Sequence, residues 1–487
     1  MTPATRRTRR ARPTAPGPVR PALWALLLAA MVSPHAAAQT AATAPAAASV
    51  AASVADAAAD AADTAEAAET ATESDRPRKR ARAPARPVWR SGIDDFLLET
   101  GALPDAPEAR AFSTLRASAF VSWQPSRAWE WRAGARVDGQ AQTGGSVDLS
   151  RWRADLSDTY LRWRGGDTRL SFGAQTIVWG RVDAVPLIDR VSRVDLTRFV
   201  LDDLPERRRA QLALRWEENW DAVKLDAVLL PAFRGAVLPA MDSVWSPLDR
   251  RRGRALGLPD TPALQMLVRN ARIGREDGGS GGGALRLTHT GEPFDMGLTL
   301  ARTRQPLPYF SADPVAGRLT AVHPFVNFAG IDGEWVAGDL TWRFEIGLSS
   351  DVPVTLAGAA MGRMGRATAR EAVVALEFFP GGKDTRVNLQ LALRSLRADA
   401  PFLEVARYAG VNGEIESTFA QGRWKAGLRF ASGLNVHDSY LAPRIAFVGW
   451  EPHEIYLAGH WFKGETQSLG GFHRDHGFVA LGLKTRF

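Results

Sequence analysis

The densest run of charge in the chain is Gln175 to Arg209, QTIVWGRVDAVPLIDRVSRVDLTRFVLDDLPERRR. Arg181, Asp183, Asp189, Arg190, Arg193, Asp195, Arg198, Asp202, Asp203 and Glu206 crowd into it, interrupted by Pro186 and Pro205. Acids facing bases across a water-filled passage sort solutes by charge, so the chemistry expected here is electrostatic selection rather than bond making. Arg181, Asp183, Asp189, Arg190, Asp195, Arg198 and Asp202 are the expected constriction residues. The competing reading is a solvated loop cross-linked by surface ion pairs of small value. Within the run, Asp195 to Leu204 predicts a short amphipathic helix with Leu196, Phe199 and Val200 on one side.

Other residues are weaker candidates. His473, Asp475 and His476 could contact a metal, but the flanking Gly470, Gly471 and Gly477 predict a flexible solvated loop, and no third ligand stands at suitable spacing. Gly278 to Gly283 lacks the Lys-Ser or Lys-Thr of a phosphate loop. Asp202 and Asp203 are adjacent, so their side chains diverge on either a strand or a helix and cannot share acid-base work. The expectation is therefore no enzyme activity, no cofactor and no metal, with an outer-membrane hydrolase as the least favoured reading.

The elements that position the charged run must come from the rest of the chain. Arg6, Arg7, Arg9, Arg10, Arg12 and Arg20 precede an apolar run from Ala22 to Val32 and then Ala36-Ala37-Ala38, which predicts a secretory signal peptide over residues 1–38. Those six arginines account for most of the formal charge of +8, leaving +2, and no nucleic-acid-binding motif is present. Nucleic acid is therefore excluded as a partner. The 487 residues contain no cysteine, so the core holds without disulfides. Residues 39–90 are alanine-rich with scattered acids, then basic, and almost without large apolar side chains. A segment with no face to bury is expected to be a disordered periplasmic tether, with a periplasmic partner of an export system as the sharper reading.

From residue 91 to 487 the texture is alternation. Leu340, Trp342, Phe344, Ile346 and Leu348 alternate with Thr341, Arg343, Glu345, Gly347 and Ser349, and the runs 129–138, 386–394 and 424–431 behave alike. Such runs are about ten residues long, the length of a tilted strand crossing a bilayer. Short turns near Pro125, Gly166, Glu218-Asn219, Glu292, Gly338, Gly381, Gln421 and Pro452 alternate with long polar stretches at about 139–152, 181–209, 231–282, 304–322, 350–366, 396–410, 432–440 and 464–474. That rhythm predicts an all-β, antiparallel transmembrane barrel of the outer-membrane type. About 18 strands are expected, with Gly92 to Glu99 as the first, or 16 if a weak segment such as Val411 to Phe419 is not a strand.

If the apolar face meets lipid, the polar face lines the lumen. Arg132, Arg136, Arg162, Arg215, Arg343, Glu345, Arg386, Arg394 and Arg429 are the expected lumen-facing residues, joined by Arg116, Arg286 and Lys484. The acids recognisable on that face, Glu130, Asp138, Asp226, Glu345 and Glu377, are fewer, so the interior is expected to concentrate anions. The alternative is that the arginines are paired structural ladders.

Two resemblances add to this reading. The last strand, VALGLKTRF, ends at Phe487 after alternating apolar residues and resembles the signal by which Gram-negative outer-membrane proteins are recognised by the barrel assembly machinery. Gln175, Trp179, Gly180, Asp183, Pro186 and Asp189 resemble the Gly-x-Gln, Trp-Gly, Asp and Asn-Pro-x-Asp series of an uncharacterised proteobacterial outer-membrane barrel family, distantly similar to alginate-exporter-type porins. Val185 stands where that series has Asn. The resemblance implies passage or export across the outer membrane of a Gram-negative cell, with both termini periplasmic. The function expected is a porin or exporter-type channel with an Arg-rich lumen passing anionic or polar small molecules or polymers, narrowed by residues 181–209. Apolar stretches such as Val228 to Phe233 and Gln305 to Phe310 support the alternative of a transporter for hydrophobic molecules.

Overall fold

A computed structural model describes residues 87–276, 278–313, 316–358 and 362–486. The signal peptide, residues 39–86 of the tether and the terminal Phe487 lie outside the described residues. From Val88 onward, period-two alternation builds long strands. β1 (Val88–Ala102), β2 (Ala111–Gln124) and β3 (Trp129–Thr143) are followed by the shorter β4 (Leu149–Leu156), β5 (Thr159–Gly165) and β6 (Thr168–Gln175). After an inserted segment come β7 (Gln211–Trp220), β8 (Val223–Leu230), β9 (Gly282–His289) and β10 (Phe294–Arg304). The remaining wall is β11 (Phe325–Ala337), β12 (Leu340–Thr355), β13 (Met364–Phe378), β14 (Thr385–Ala398), β15 (Arg407–Phe419), β16 (Trp424–Gly433), β17 (Asp438–Trp450), β18 (His453–Gly464) and β19 (Phe478–Arg486).

These nineteen strands form one antiparallel sheet, and the last closes on the first, from Asp95 opposite Arg486 to Ala102 opposite Val479. Closure removes the sheet edge that would otherwise leave backbone groups unpaired. β4 and β5 both pair with β3, β4 along its upper rows from Ala135 to Gln142 and β5 along Trp129 to Arg132. They are two pieces of one bent stave, so the barrel has eighteen staves. The expected count is correct, and the first strand begins at Val88.

The side chains are arranged inside out relative to a water-soluble protein. On β12, Ile346 and Leu348 are about half exposed, at 47% and 50%, whereas Glu345, directly before Ile346 and on the opposite face, is fully buried at 0%. An exposed apolar belt with charges packed inside is stable only where the surrounding solvent is hydrocarbon. Trp89, Trp123, Trp129, Trp216, Trp220, Trp335, Trp424 and Trp450 are exposed near the short-turn ends of their strands, the position of an aromatic girdle. The first and last described residues of the wall, Val88 and Arg486, lie at that same end of the barrel.

Several predicted boundaries move. β3 runs to Thr143 and β4 starts at Leu149, so the loop expected at 139–152 is a turn of five residues, 144–148. The turn expected at Glu218-Asn219 lies at Asp221-Ala222, where Asp221 takes φ +46°, a left-handed conformation that Asp tolerates better than most residues. The helix expected over Asp195 to Leu204 does not form. Asp195 instead bridges to Val237, Phe199 adopts φ +54°, and within the inserted segment helix is confined to Leu204–Arg207. Pro205 suits a helix start rather than an interior, and Asp203 with Glu206 supplies a capping box there.

Candidate functional site

The chain leaves the wall at Gln175 and rejoins it at Gln211, and the residues between lie inside the barrel. Their partners are inward-facing side chains on opposite sides: Glu99 on β1 and Arg116 on β2, and across the lumen Asp332 on β11, Glu345 on β12 and Arg386 on β14. Backbone outside a ladder is tolerated at this depth only because the lumen, not lipid, surrounds it.

The first half of the segment is held by a carboxylate. Glu345 Oε1 accepts the backbone N–H groups of Arg181 and Val182 at 2.5 and 3.1 Å, and Oε2 accepts those of Leu187 and Ile188 at 2.6 and 3.0 Å. Asp189 closes the same loop from within, accepting from the N–H groups of Trp179 and Gly180 at 2.6 and 2.7 Å and from Arg208 at 2.8 Å. Trp179 Nε1 donates to Asp226 on β8 at 2.8 Å, and Gln175 donates to the Ala213 carbonyl at 3.1 Å. Pro186 stands so close that a Cβ on Gly180 would lie 2.5 Å from its own Cβ. Gln175, Trp179, Gly180, Pro186 and Asp189 thus have one shared role, folding and seating this loop.

The charges expected to form the constriction all meet partners. Arg181 binds Asp332 at 2.7 Å and Asp295 at 3.5 Å, Asp183 binds Arg386 at 2.9 Å and Asn388, and Arg190 lies 3.2 Å from Glu371 and over the Phe328 ring. Asp195 pairs with Arg209 and Arg136, Arg198 with Glu99 and Asp202, and Asp202 with Arg116 at 2.6 Å. Glu99, Arg198, Asp202, Arg116, Asp138, Arg136, Arg209 and Asp195 form one continuous buried chain in which four guanidiniums meet four carboxylates. Burial works against the charge on Asp195, Asp202 and Glu206, yet Arg209 with Arg136, Arg116 with Arg198, and Lys484 with Arg116 outweigh it and hold all three below the usual carboxylate range. Asp183 behaves oppositely: burial outweighs Arg386 and raises it.

Of the arginines expected to line the lumen, most are paired with carboxylates. Arg132 meets Asp94, Arg162 meets Glu130, Arg215 meets Asp226, Arg343 meets Glu334, Arg386 meets Glu377 and Arg429 meets Asp203. Asp94, Glu99, Asp332, Glu334 and Glu371 were not recognised in the sequence as lumen acids. They alternate with apolar neighbours such as Ile331 and Trp335, which is the signal that could have found them. Arg394 differs: among the described residues it has no carboxylate within ion-pair distance, and it borders a cavity of about 300 Å³ beside the inserted segment, together with Arg190, Arg208, Glu371 and Tyr408.

The lumen is also less polar than expected. Ile177, Trp179, Ile188 and Val191 pack against Ala213, Val228, Leu230, Ala284, Ala301 and Phe328 on the inward face of the wall. At one end, Trp245 from the 231–281 connection is fully buried against Phe112, Phe462 and Phe478. His473 and His476 join that cluster, 0% and 5% exposed, correcting the solvated loop expected for them. Gly470 and Gly471 are there because backbone carbonyls leave no room for a Cβ, not because the loop is slack. Burial holds His473 well below the usual imidazole value, so it is neutral. Asp475 faces away and pairs with Arg252 at 2.9 Å.

Residues 56–426 match the family described as protein of unknown function DUF1302. No curated protein sequence matches the chain. Among solved structures, OmpT, an outer membrane protein of Vibrio cholerae, is 10% identical, with 83% of this chain and 99% of that chain covered and a TM-score of 0.42. OccK5 of Pseudomonas aeruginosa is 9% identical, with 82% and 97% covered and a TM-score of 0.47. OmpF of Salmonella typhi is 6% identical, with 82% and 97% covered and a TM-score of 0.40.

Proposed function

We propose, for a chain that belongs to the DUF1302 family of unknown function, that it is an outer-membrane channel or exporter-type porin passing small anionic or polar solutes beside a constriction formed by residues 176–210. The termini and short turns then face the periplasm and the long connections face outward, the usual sense of such barrels. The observation that carries the reading is the divided lumen: a segment anchored to opposite walls, with the Arg394 cavity left at its side. Where most lumen arginines are neutralised by carboxylates, an arginine without one attracts a passing anion. The wall and plug arginines serve as structural ladders, so selectivity falls to the few basic groups that border open space. Residues 1–38 direct export, Phe487 is read by the assembly machinery, and the 39–86 segment reaches toward a periplasmic partner.

Reversal potentials in planar bilayers under a salt gradient test this. Anion preference that weakens in Arg394→Ala supports it; cation preference, or no current in any condition, refutes it.

A second reading, transport of hydrophobic molecules, has one observation in its favour. A groove among the long connections is lined by Leu196, Phe199, Leu256, Leu264, Tyr309 and Phe310 and is almost wholly apolar. Uptake of an uncharged hydrophobic tracer without ion current would favour it.

A further inference from the structure

The wall is incomplete above β6. β5 and β6 have only seven and eight residues, because the chain turns into the lumen after Gln175 instead of climbing further. Eight residues tilted at roughly 40° rise about 20 Å, short of the roughly 25 Å apolar band of an outer-membrane barrel. Beside this gap stands β4, which climbs along β3 from Leu156 to Leu149. Among the described residues no strand pairs with its second edge.

Lipid cannot cover such an edge, since hydrocarbon offers unpaired backbone N–H and C=O groups no hydrogen-bonding partner. The notch must therefore hold water or a polar ligand. Beside it lies a cavity of about 720 Å³. Partners of Gly139, Val137 and Ala135 on β3 put Trp152, Ala154 and Leu156 on the apolar outer face and Arg151 and Arg153 on the inner face. Both arginines line the cavity, are exposed, and among the described residues have no carboxylate within ion-pair distance. Lower on the same strand, Asp155 takes Arg193 of the inserted segment and Arg234 of the next connection, each at 2.8 Å, and so fixes the rim. The opening thus presents two guanidiniums inside and an indole and aliphatic side chains outside, with the connection after β8 along its far side.

We infer that this notch is a lateral portal for an amphipathic anion, a molecule with one alkyl chain and a phosphate or carboxylate head. The head binds Arg151 and Arg153, which offer planar, charge-assisted donors, and the chain runs past Trp152 into the outer part of the bilayer. The inference rests on the channel reading for the lumen behind the notch and adds a substrate class and a sideways route.

The test uses the full-length barrel in lipid nanodiscs, with binding of dodecyl phosphate read by native mass spectrometry, so that it needs no ion current. Folding of every variant is checked by heat-dependent gel mobility. Arg151→Ala/Arg153→Ala is expected to weaken binding about tenfold or more, as loss of charge-assisted contacts implies, and Arg151→Lys/Arg153→Lys to recover part of it. Inorganic phosphate is expected not to compete. Because the chain has no cysteine, Ala154→Cys labelled with a 5 kDa polyethylene glycol maleimide gives a single-site block that should abolish binding. Unchanged binding in the double variant, no binding by the wild type, equal competition by inorganic phosphate, or an Ala154→Cys disulfide linking two copies at this edge would each overturn the portal. A barrel that binds dodecyl phosphate but carries no current would refute the channel reading alone.

Discussion

Removing the carboxylate of Glu345 should release the inserted segment. Its side chain accepts four backbone N–H groups, two per oxygen, from residues 181, 182, 187 and 188. A hydrogen bond to a charged group contributes about 1.5–3 kcal/mol net. In Glu345→Gln the amide oxygen still accepts two of the four, while the NH2 group faces the other two donors. The loss is therefore roughly two charged bonds, about 3–6 kcal/mol. Even the lower figure shifts an in–out equilibrium by about a hundredfold. Glu345→Ala should go further, because truncation leaves all four donors without their acceptor. The sheet itself should survive, since residue 345 keeps its backbone place between Asp332 and Val373.

With the segment gone the lumen is wide. At about 4.8 Å between strands and a tilt of roughly 40°, eighteen staves enclose a backbone radius of roughly 18 Å. Single-channel conductance should rise several-fold in Glu345→Ala, by flickering openings in Glu345→Gln, and trypsin should reach Arg190 and Arg193 in detergent. Unchanged conductance together with unchanged protease resistance in both variants would refute the idea that this carboxylate seats the loop.

Further outcomes follow from the same geometry. Gly180→Ala should loosen the loop as Glu345→Gln does, because its Cβ would meet Pro186 at 2.5 Å; conductance reports it. Arg198→Ala leaves Glu99 and Asp202 short of a buried partner, a loss of about 3–5 kcal/mol for a broken buried pair, and should raise current noise and lower the unfolding temperature. The depressed carboxylates Asp195, Asp202 and Glu206 give stability that is complete above their unfolded values and is lost only as pH falls through their lower folded values, so their contribution to the unfolding temperature, read by comparing wild type with Asp195→Asn, should stay constant down to about pH 4 and shrink below it. Asp183, raised by burial, has the opposite sign: the fold takes its proton more readily than the unfolded chain, so mild acid adds stability there, and Asp183→Asn should remove that gain in pH-dependent melting.

Period-two alternation and the contrast between tight turns and long connections were sufficient for an eighteen-stave barrel, because a strand between lipid and lumen must change solvent at every residue. The inward direction of Arg132, Arg343, Arg386 and Arg429 follows from that parity alone. So does the unusual character of residues 175–209, whose prolines and mixed charges cannot continue a wall strand. What parity cannot supply is the partner. That Arg386 meets Asp183, that Glu345 caps the N–H groups of residues 181–188, and that Asp332 gathers Arg181 and Arg286 depends on which staves the segment crosses. Apart from Arg286 and Asp332, which sit on the two staves flanking β10, those contacts join residues more than a hundred positions apart. The local helix expected after Asp195 fails for the same reason: a weak short-range preference yields to ion pairs and packing inside the barrel. The chain alone determined which face of each strand is wet. Only the closed sheet decided that much of the wet face meets protein, leaving Arg394 and the β4 notch beside open space.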